Sequence, residues 1–302
     1  MSESRSPKAV SLEIFRHLFT ALCEEMGATL KRASFSPNIK ERRDYSCALF
    51  DSSGAAVSLG DHMPVHLGAM PMSVEAALAE IGKLAPGDVV CLNDPFSGGT
   101  HLPDITLISA VHEERGKLLG YVASRAHHSD VGGSTPGSMP LAREIFEEGI
   151  RIPPVRLYEA GQLNTSLWKT LLANVRTPVE RAGDLDAQVA ALHTGSKRLC
   201  EIAQRKGIEE TLTAMEQLIE YADRLVEVGL NIVPDGCYQA EDWIEDDGFG
   251  SGPIPIRVSL NIEGARLTVD FEGTSPQVPG GVNAVAAITS SATRYVVRCI
   301  VE

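Results

Sequence analysis

Basic charge is scarce in this chain: 27 Lys and Arg stand against 40 Asp and Glu in 302 residues, a formal net charge of −13. Nucleic-acid binding rests on clustered Lys and Arg that release counterions from phosphates, and here the basic residues are outnumbered and dispersed. A nucleic-acid scaffold is therefore disfavoured. The six cysteines, Cys23, Cys47, Cys91, Cys200, Cys237 and Cys299, never fall into a C-x-x-C spacing, so zinc ribbons and dithiol redox sites drop out and reduced, mostly buried thiols are expected. No run approaches the ~20 apolar residues that a membrane span requires. The opening residues Met1 to Lys8 lack the apolar region of a secretory signal. Together these absences imply a cytoplasmic protein, in which the Asn164-Thr-Ser match to a glycosylation acceptor is a chance hit. A phosphate-binding G-x-x-x-x-G-K-[ST] loop, a G-x-G-x-x-G turn after a strand and a G-x-S-x-G elbow are also missing. Any ATP chemistry would have to come from a partner.

What is present describes a mixed fold. With 43% hydrophobic and 22% charged residues the composition is globular and sufficient for a large core. From Val10 to Leu30 apolar residues recur at three- and four-residue steps, which marks an amphipathic helix. Ser46 to Ser58 reads as a hairpin around an Asp-Ser-Ser-Gly turn, and Met72 to Leu84 as a short helix closed by Pro86 and Gly87. Three β-rich runs follow, Val89 to Leu92, Ile105 to Val111 and Leu118 to Ala123. Beyond Pro178 a helical hairpin turning at Lys206 and Gly207 is expected, then a β-meander over Tyr238 to Ile244, Ile254 to Ile262 and Leu267 to Phe271. The expected class is α+β or mixed α/β: a sheet-centred core with Gly-rich site loops, a helical hairpin and a C-terminal antiparallel meander. The matching division is 1–178, 179–233 and 234–302. The final apolar run, Ala284 to Val301, has no cap and no polar tail, so either it docks in the core or the chain is a fragment.

Chemistry is to be sought in two glycine-rich segments between the strands, Asn93 to Asp104 and Ser124 to Gly137, because a rigid sheet holds functional groups on its loops. They bring His101, His127 and His128 near Asp94, Asp104 and Asp130 in the sequence. Imidazole with carboxylate is the ligand set of a borderline divalent ion such as zinc or manganese. Pro103 keeps His101 and Asp104 extended or turning, so that both can converge from one loop. Returning strands would bring His127 or His128 beside that loop, and only one of the adjacent pair should face it, because side chains alternate along extended backbone. Asp44, in the charged stretch Lys40 to Asp44, is either solvated or a further ligand. His62 and His66 stand four apart, but Pro64 between them argues against one helix face and leaves pocket-lining and packing roles equally open. His17, His112 and His193 read as ordinary helix or turn residues.

These stretches resemble the hydantoinase B/5-oxoprolinase family. The resemblance is carried by IKERRDYSC (39–47), PVHLG (64–68), NDPFSGGTHLPD (93–104), RAHHSDVGG (125–133), EGIRIPP (148–154), ANVRTP (173–178), GDLDAQ (183–188) and DFEGTSPQ (270–277), which span nearly the whole chain. It implies a B-type subunit working with an A-type, ATP- and Mg-using partner in a hetero-oligomer. Such assemblies open cyclic amides such as hydantoins, 5-oxoproline or lactams, and relatives carboxylate ketones such as acetone or acetophenone. It further implies a divalent ion, Mn, Zn or Fe, on His101, Asp104 and His127, with Asp44 as a fourth candidate. His128 and Asp130 would orient those ligands or carry protons. Family members continue beyond the point where this chain stops, so it reads as an N-terminal portion or a truncated paralogue, and a non-catalytic, partner-binding role is the alternative from a different class.

Overall fold

The computed structural model describes residues 9–60 and 63–301. Its centre is a seven-stranded, wholly antiparallel sheet in the order β2-β1-β5-β4-β3-β6-β7. The strands are β1 (Tyr45–Phe50), β2 (Ala56–Leu59), β3 (Val89–Leu92), β4 (Asp104–His112), β5 (Leu118–His127), β6 (Val155–Glu159) and β7 (Gln162–Leu163). The expected core strands are all here. β5, however, runs four residues beyond Ala123, so Ser124 to His127 is strand where the sequence pattern suggested loop.

Both faces of this sheet are covered. On one lie the long helices α1 (Ala9–Ala33) and α5 (Pro178–Lys206), which pack on each other and, in α5, on β4 and β5. Phe15, Phe19, Leu22, Met26 and Leu30 of α1 are fully buried, as their spacing foretold, whereas Val10 and Ile14 of the same stripe project toward solvent. Gly195 of α5 sits where a Cβ would collide with the Met26 sulfur, so the glycine permits the close crossing of the two helices. The hairpin turns as expected, with Gly207 at φ +99 between α5 and α6 (Ile208–Leu230).

The other face carries α3 (His66–Ile81), which buries Met70, Val74 and Ala77 against Ala48, Phe50, Ile108 and Ala123. This helix begins six residues before the expected start. Its first backbone N–H groups lack a cap from their own chain neighbourhood, since Val65 offers no side-chain acceptor. The need is met from far along the sequence by Ser291 of the terminal helix α7 (Ala286–Val301), whose hydroxyl accepts from Gly68 N and Ala69 N and donates to Val65 O. The last apolar run therefore docks on α3.

A three-stranded sheet, β10-β9-β8, is formed by β8 (Gly236–Ile244), β9 (Ile254–Glu263) and β10 (Arg266–Asp270), matching the expected meander. The pattern missed β6, β7, α2 (Pro37–Lys40) and α4 (Thr165–Ala173). Asn164 caps α4 by accepting from Leu167 N. The six cysteines are unbridged; Cys23, Cys47 and Cys91 are buried, while Cys237 and Cys299 are exposed, against the expectation of mostly buried thiols. Among the described residues no helix is long and apolar enough to cross a membrane.

Candidate metal centre

Sheet register builds the site. Asp104 opens β4 and His127 closes β5, and the two are direct cross-strand partners. Side chains alternate along strands, so Asp104, Thr106, Arg125 and His127 share the α3 face with Ser46 of β1, while His128 turns to the α5 face. Asp44 lies just before β1, and its backbone carbonyl accepts from His127 N. His101 comes back over Asp104 through a tight turn in which Asp104 N donates to His101 O. The fifth member is His66, at the first turn of α3.

Their ligand atoms converge. His101 Nε2 lies 3.2 Å from Asp104 Oδ1 and 3.2 Å from His127 Nδ1. His127 Nδ1 is 3.6 Å from both Asp104 Oδ1 and Asp44 Oδ2, and His66 Nε2 is 3.4 Å from Asp104 Oδ2. Within each of the triads His101, Asp104, His127 and Asp44, His66, Asp104 the donor atoms lie within 4.8 Å of one another. Two of these atoms are buried without an aligned hydrogen-bond partner among the described residues, Asp104 Oδ1 and His66 Nε2. Such orphans cost about 1–3 kcal/mol each unless something pairs with them. Three imidazoles and one or two carboxylates suit a borderline divalent cation, and the orphaned atoms point to where it fits.

Surrounding groups fix the ligands. Thr100 donates its hydroxyl to Asp104 Oδ2, and Ser46 Oγ lies 2.8 Å from His66 Nδ1, leaving Nε2 to face the centre. Arg125 is fully buried beneath, its Nε donating to Thr106 and one terminal nitrogen to Ser73, which in turn donates to Gly98 O and ties down the loop before His101. Burial pulls the Arg125 pKa down to about 10. Burial also works against the Asp104 carboxylate, but the facing rings of His101 and His66 outweigh it and hold its pKa well below the ordinary value. Burial lowers the His127 pKa, keeping the ring neutral as a ligand must be; for His101 the pull of Asp104 and Asp44 exceeds the burial penalty and the pKa rises.

A model of the family described as hydantoinase B/oxoprolinase matches residues 8–302. The chain belongs to the hydantoinase B/oxoprolinase family. It is 37% identical to 5-oxoprolinase 1 of Arabidopsis thaliana over 97% of its own length and 25% of that protein's. It is 38% identical to the 5-oxoprolinase of Saccharomyces cerevisiae over 97% of this chain and 24% of the relative. The crystal structure of an ATP-dependent caprolactamase from Pseudomonas jessenii superposes with a TM-score of 0.91 at 32% identity, covering 96% of this chain and 50% of that one. The chain thus spans from about a quarter to half the length of these relatives.

Within this family member, the four residues proposed as ligands from the sequence, His101, Asp104, His127 and Asp44, are brought together. His128 and Asp130 are not. His128 Nε2 lies 2.9 Å from Gln188 Oε1 in the α5 layer, where burial depresses its pKa to about 4 and keeps it uncharged. Asp130 accepts from the backbone of Arg176 and Gly132 and pairs with the Arg176 guanidinium at 3.0 Å. That bond network supports the 130–138 loop, whose Ser134 N donates to Glu147 O. Asp94 caps the 95–97 turn by accepting from Phe96 N and pairs with Arg151. His62 lies outside the described residues. His66, Thr100, Ser46 and Arg125 are additions that the sequence reading did not single out as ligands or their supports. The signal for His66 was Pro64, which stands just before the helix cap Val65 instead of breaking a helix.

The exposed side of the centre is His101, 38% accessible. It opens into two adjoining cavities of about 210 and about 530 Å³, walled by the 139–148 segment and the 277–285 segment. Glu148 lies in that wall, and burial raises its pKa.

Proposed function

We propose that this chain is the B-type component of an ATP-dependent cyclic-amide hydrolase, with a divalent ion, Mn, Zn or Fe, held by His101, Asp104 and His127 and approached by Asp44 and His66. The observation that carries this reading is the convergence of five donor atoms on a buried point where Asp104 Oδ1 and His66 Nε2 have no other aligned partner. Hydrolysis is favoured by the 32% identical caprolactamase and the 37% identical 5-oxoprolinase.

When bound, the ion would supply Lewis acidity toward a carbonyl or phosphoryl oxygen. The remaining work falls to residues of this chain. Thr100 and Ser46 hold Asp104 and His66 in their facing orientations, as supports of metal ligands generally do. Buried Arg125 balances the Asp104 charge from below and anchors the 93–100 loop through Ser73. The cavities beside His101 receive the substrate and exclude bulk water from its buried neighbours. Nothing in the sequence binds ATP by a known phosphate loop, and the relatives are longer, so an A-type partner using ATP and Mg²⁺ would activate the substrate oxygen in a hetero-oligomer, placed in the cytoplasm.

The test begins with metal content by plasma mass spectrometry on the purified chain and its His101→Ala variant. About one Mn, Zn or Fe per chain, lost in the variant, is expected; no metal in either would favour a partner-binding role without turnover. Reconstitution with the partner and ATP then compares ring opening of a lactam or hydantoin with carboxylation of a ketone by bicarbonate. Ring opening is the expected outcome, and ketone carboxylation would move the chain to the other branch of chemistry.

A further inference from the structure

We infer that Glu148 is the acceptor for the ring N–H of a cyclic amide, and so selects cyclic over open-chain amides at the mouth of the metal centre. The inference deepens the proposed function and rests on it. Only three residues line both cavities: His101, Glu148 and Gly281. Glu148 therefore stands on the ridge beside the one exposed metal-site imidazole. Among the described residues no side chain donates a hydrogen bond or ion pair to its carboxylate, although it is half-buried. Gly281 faces it across the gap, and a Cβ there would come within 3.5 Å of Glu148 Oε1, so the glycine keeps the space before the carboxylate open.

The position of Glu148 is built rather than incidental. It follows a short turn, Ile145–Glu147, closed by a reciprocal capping box with Glu144, and its own N–H donates to Ile145 O. The preceding carbonyl of Glu147 accepts from Ser134, and two residues on, Ile150 N donates to Val131 O. Asp130 and Arg176 hold that same 130–134 segment, so the ion pair acts on the site by positioning Glu148.

The substrate's geometry supplies the rest. In a small ring the amide is forced cis, so its C=O and N–H leave the ring along one edge; in an open-chain trans amide they point to opposite sides. A site that draws the carbonyl oxygen toward the ion beside His101 meets the N–H of the same edge immediately next to it. A lone acceptor there satisfies the cyclic substrate and leaves an open-chain amide with one group unpaired. Sites built to hydrogen-bond a substrate N–H discriminate strongly against analogues without it.

The test uses a lactam and its N-methyl derivative with metal-loaded wild type, Glu148→Gln and Glu148→Ala, read as binding by calorimetry on this chain and as turnover with partner and ATP. Glu148→Ala should lower affinity and kcat/KM for the N–H lactam about 10- to 100-fold, the range for a hydrogen bond to a charged group. It should leave the N-methyl lactam and the metal content unchanged, and Glu148→Gln, which keeps an acceptor oxygen, should recover part of the loss. Equal losses on both lactams, or none on the N–H form, would overturn the assignment. Metal lost from Glu148→Ala would make Glu148 a ligand instead and also overturn it. A wild type that binds and opens neither lactam would sink the proposed function itself, a result distinct from wild-type turnover with an indifferent Glu148→Ala.

Discussion

The two sheets are built to different ends. In β4, eight of nine residues are buried, and helices lie on both faces of its sheet. In β8, seven of nine are exposed, Trp243 and Tyr238 among them. The buried sheet can hold a carboxylate against three imidazoles because its strand register and its two apolar layers leave those side chains nowhere else to go. The small sheet contributes no ligand. Its 245–252 turn and the 277–285 segment lean over the cavities instead, joined where Asp247 accepts from Phe249 N, Ser251 N and Gly280 N. Rigid chemistry and adjustable walls are thus divided between the two sheets.

The largest effect should come from the core of the first region. Phe19→Ala, which empties a fully buried ring site between α1 and the sheet, should destabilise the protein by about 3–5 kcal/mol. Trp243→Ala, 53% exposed on the small sheet, should cost about 0.5 kcal/mol or less. Denaturant unfolding of the two variants checks the division, and comparable losses would break it.

Next in size is Asp130→Asn. It removes the charge that pairs with Arg176 and weakens two backbone hydrogen bonds, at a cost of about 1–2 kcal/mol given that Arg176 is partly exposed. Because the 130–134 segment carries Glu148, lactam affinity should fall while the bound metal stays; loss of the metal instead would show that Asp130 acts on the centre directly. Smaller still is the stability change expected for His101→Ala. Its ring is 38% accessible and adds little to the core, so thermal unfolding should shift by only a few degrees while metal content drops. Asp104→Ala should likewise release the metal. Stoichiometric metal retained in both variants would remove the centre from the account.

The same contrast explains what could be read in the sequence. β4 and β5 were legible because unbroken β-rich runs between glycine-rich segments mark a strand buried on both faces. Their pairing put Asp104 opposite His127 and left His128 on the far face, as alternation requires. The helical hairpin was legible from its apolar spacing and Gly207. His66 was not, because its ligand role depends on where α3 starts, and that start is capped by Ser291, some 220 residues away, which no local pattern reveals. Glu148 escaped for a similar reason: its value lies in a turn pinned to the 130–134 segment. Pro153 and Pro154 hid β6, which pairs with β3 and begins directly after them, since proline is tolerated at the entry to a strand.

The finest test of the division is pH. The Asp247 pKa is drawn down to about 2: burial pushes it upward, but the N–H groups of Ser251, Phe249 and Gly280 outweigh that and favour the charged form. A carboxyl whose pKa is depressed on folding contributes stability that is complete above its ordinary value of 3.8 and is lost as pH falls through that value toward the folded one. Between about pH 4 and 2 the link between the 245–252 turn and the 277–285 segment should therefore loosen. The Gly280, Phe249 and Ser251 amides should lose exchange protection at a higher pH than the β4 and β5 amides, because Asp104 in the buried sheet is held charged well below the ordinary range. Asp247→Asn should abolish the early step and leave the later one. If all these amides instead exchange together as the pH falls, the two sheets open as one cooperative unit, and the walls of the cavities share the stability of the centre they enclose.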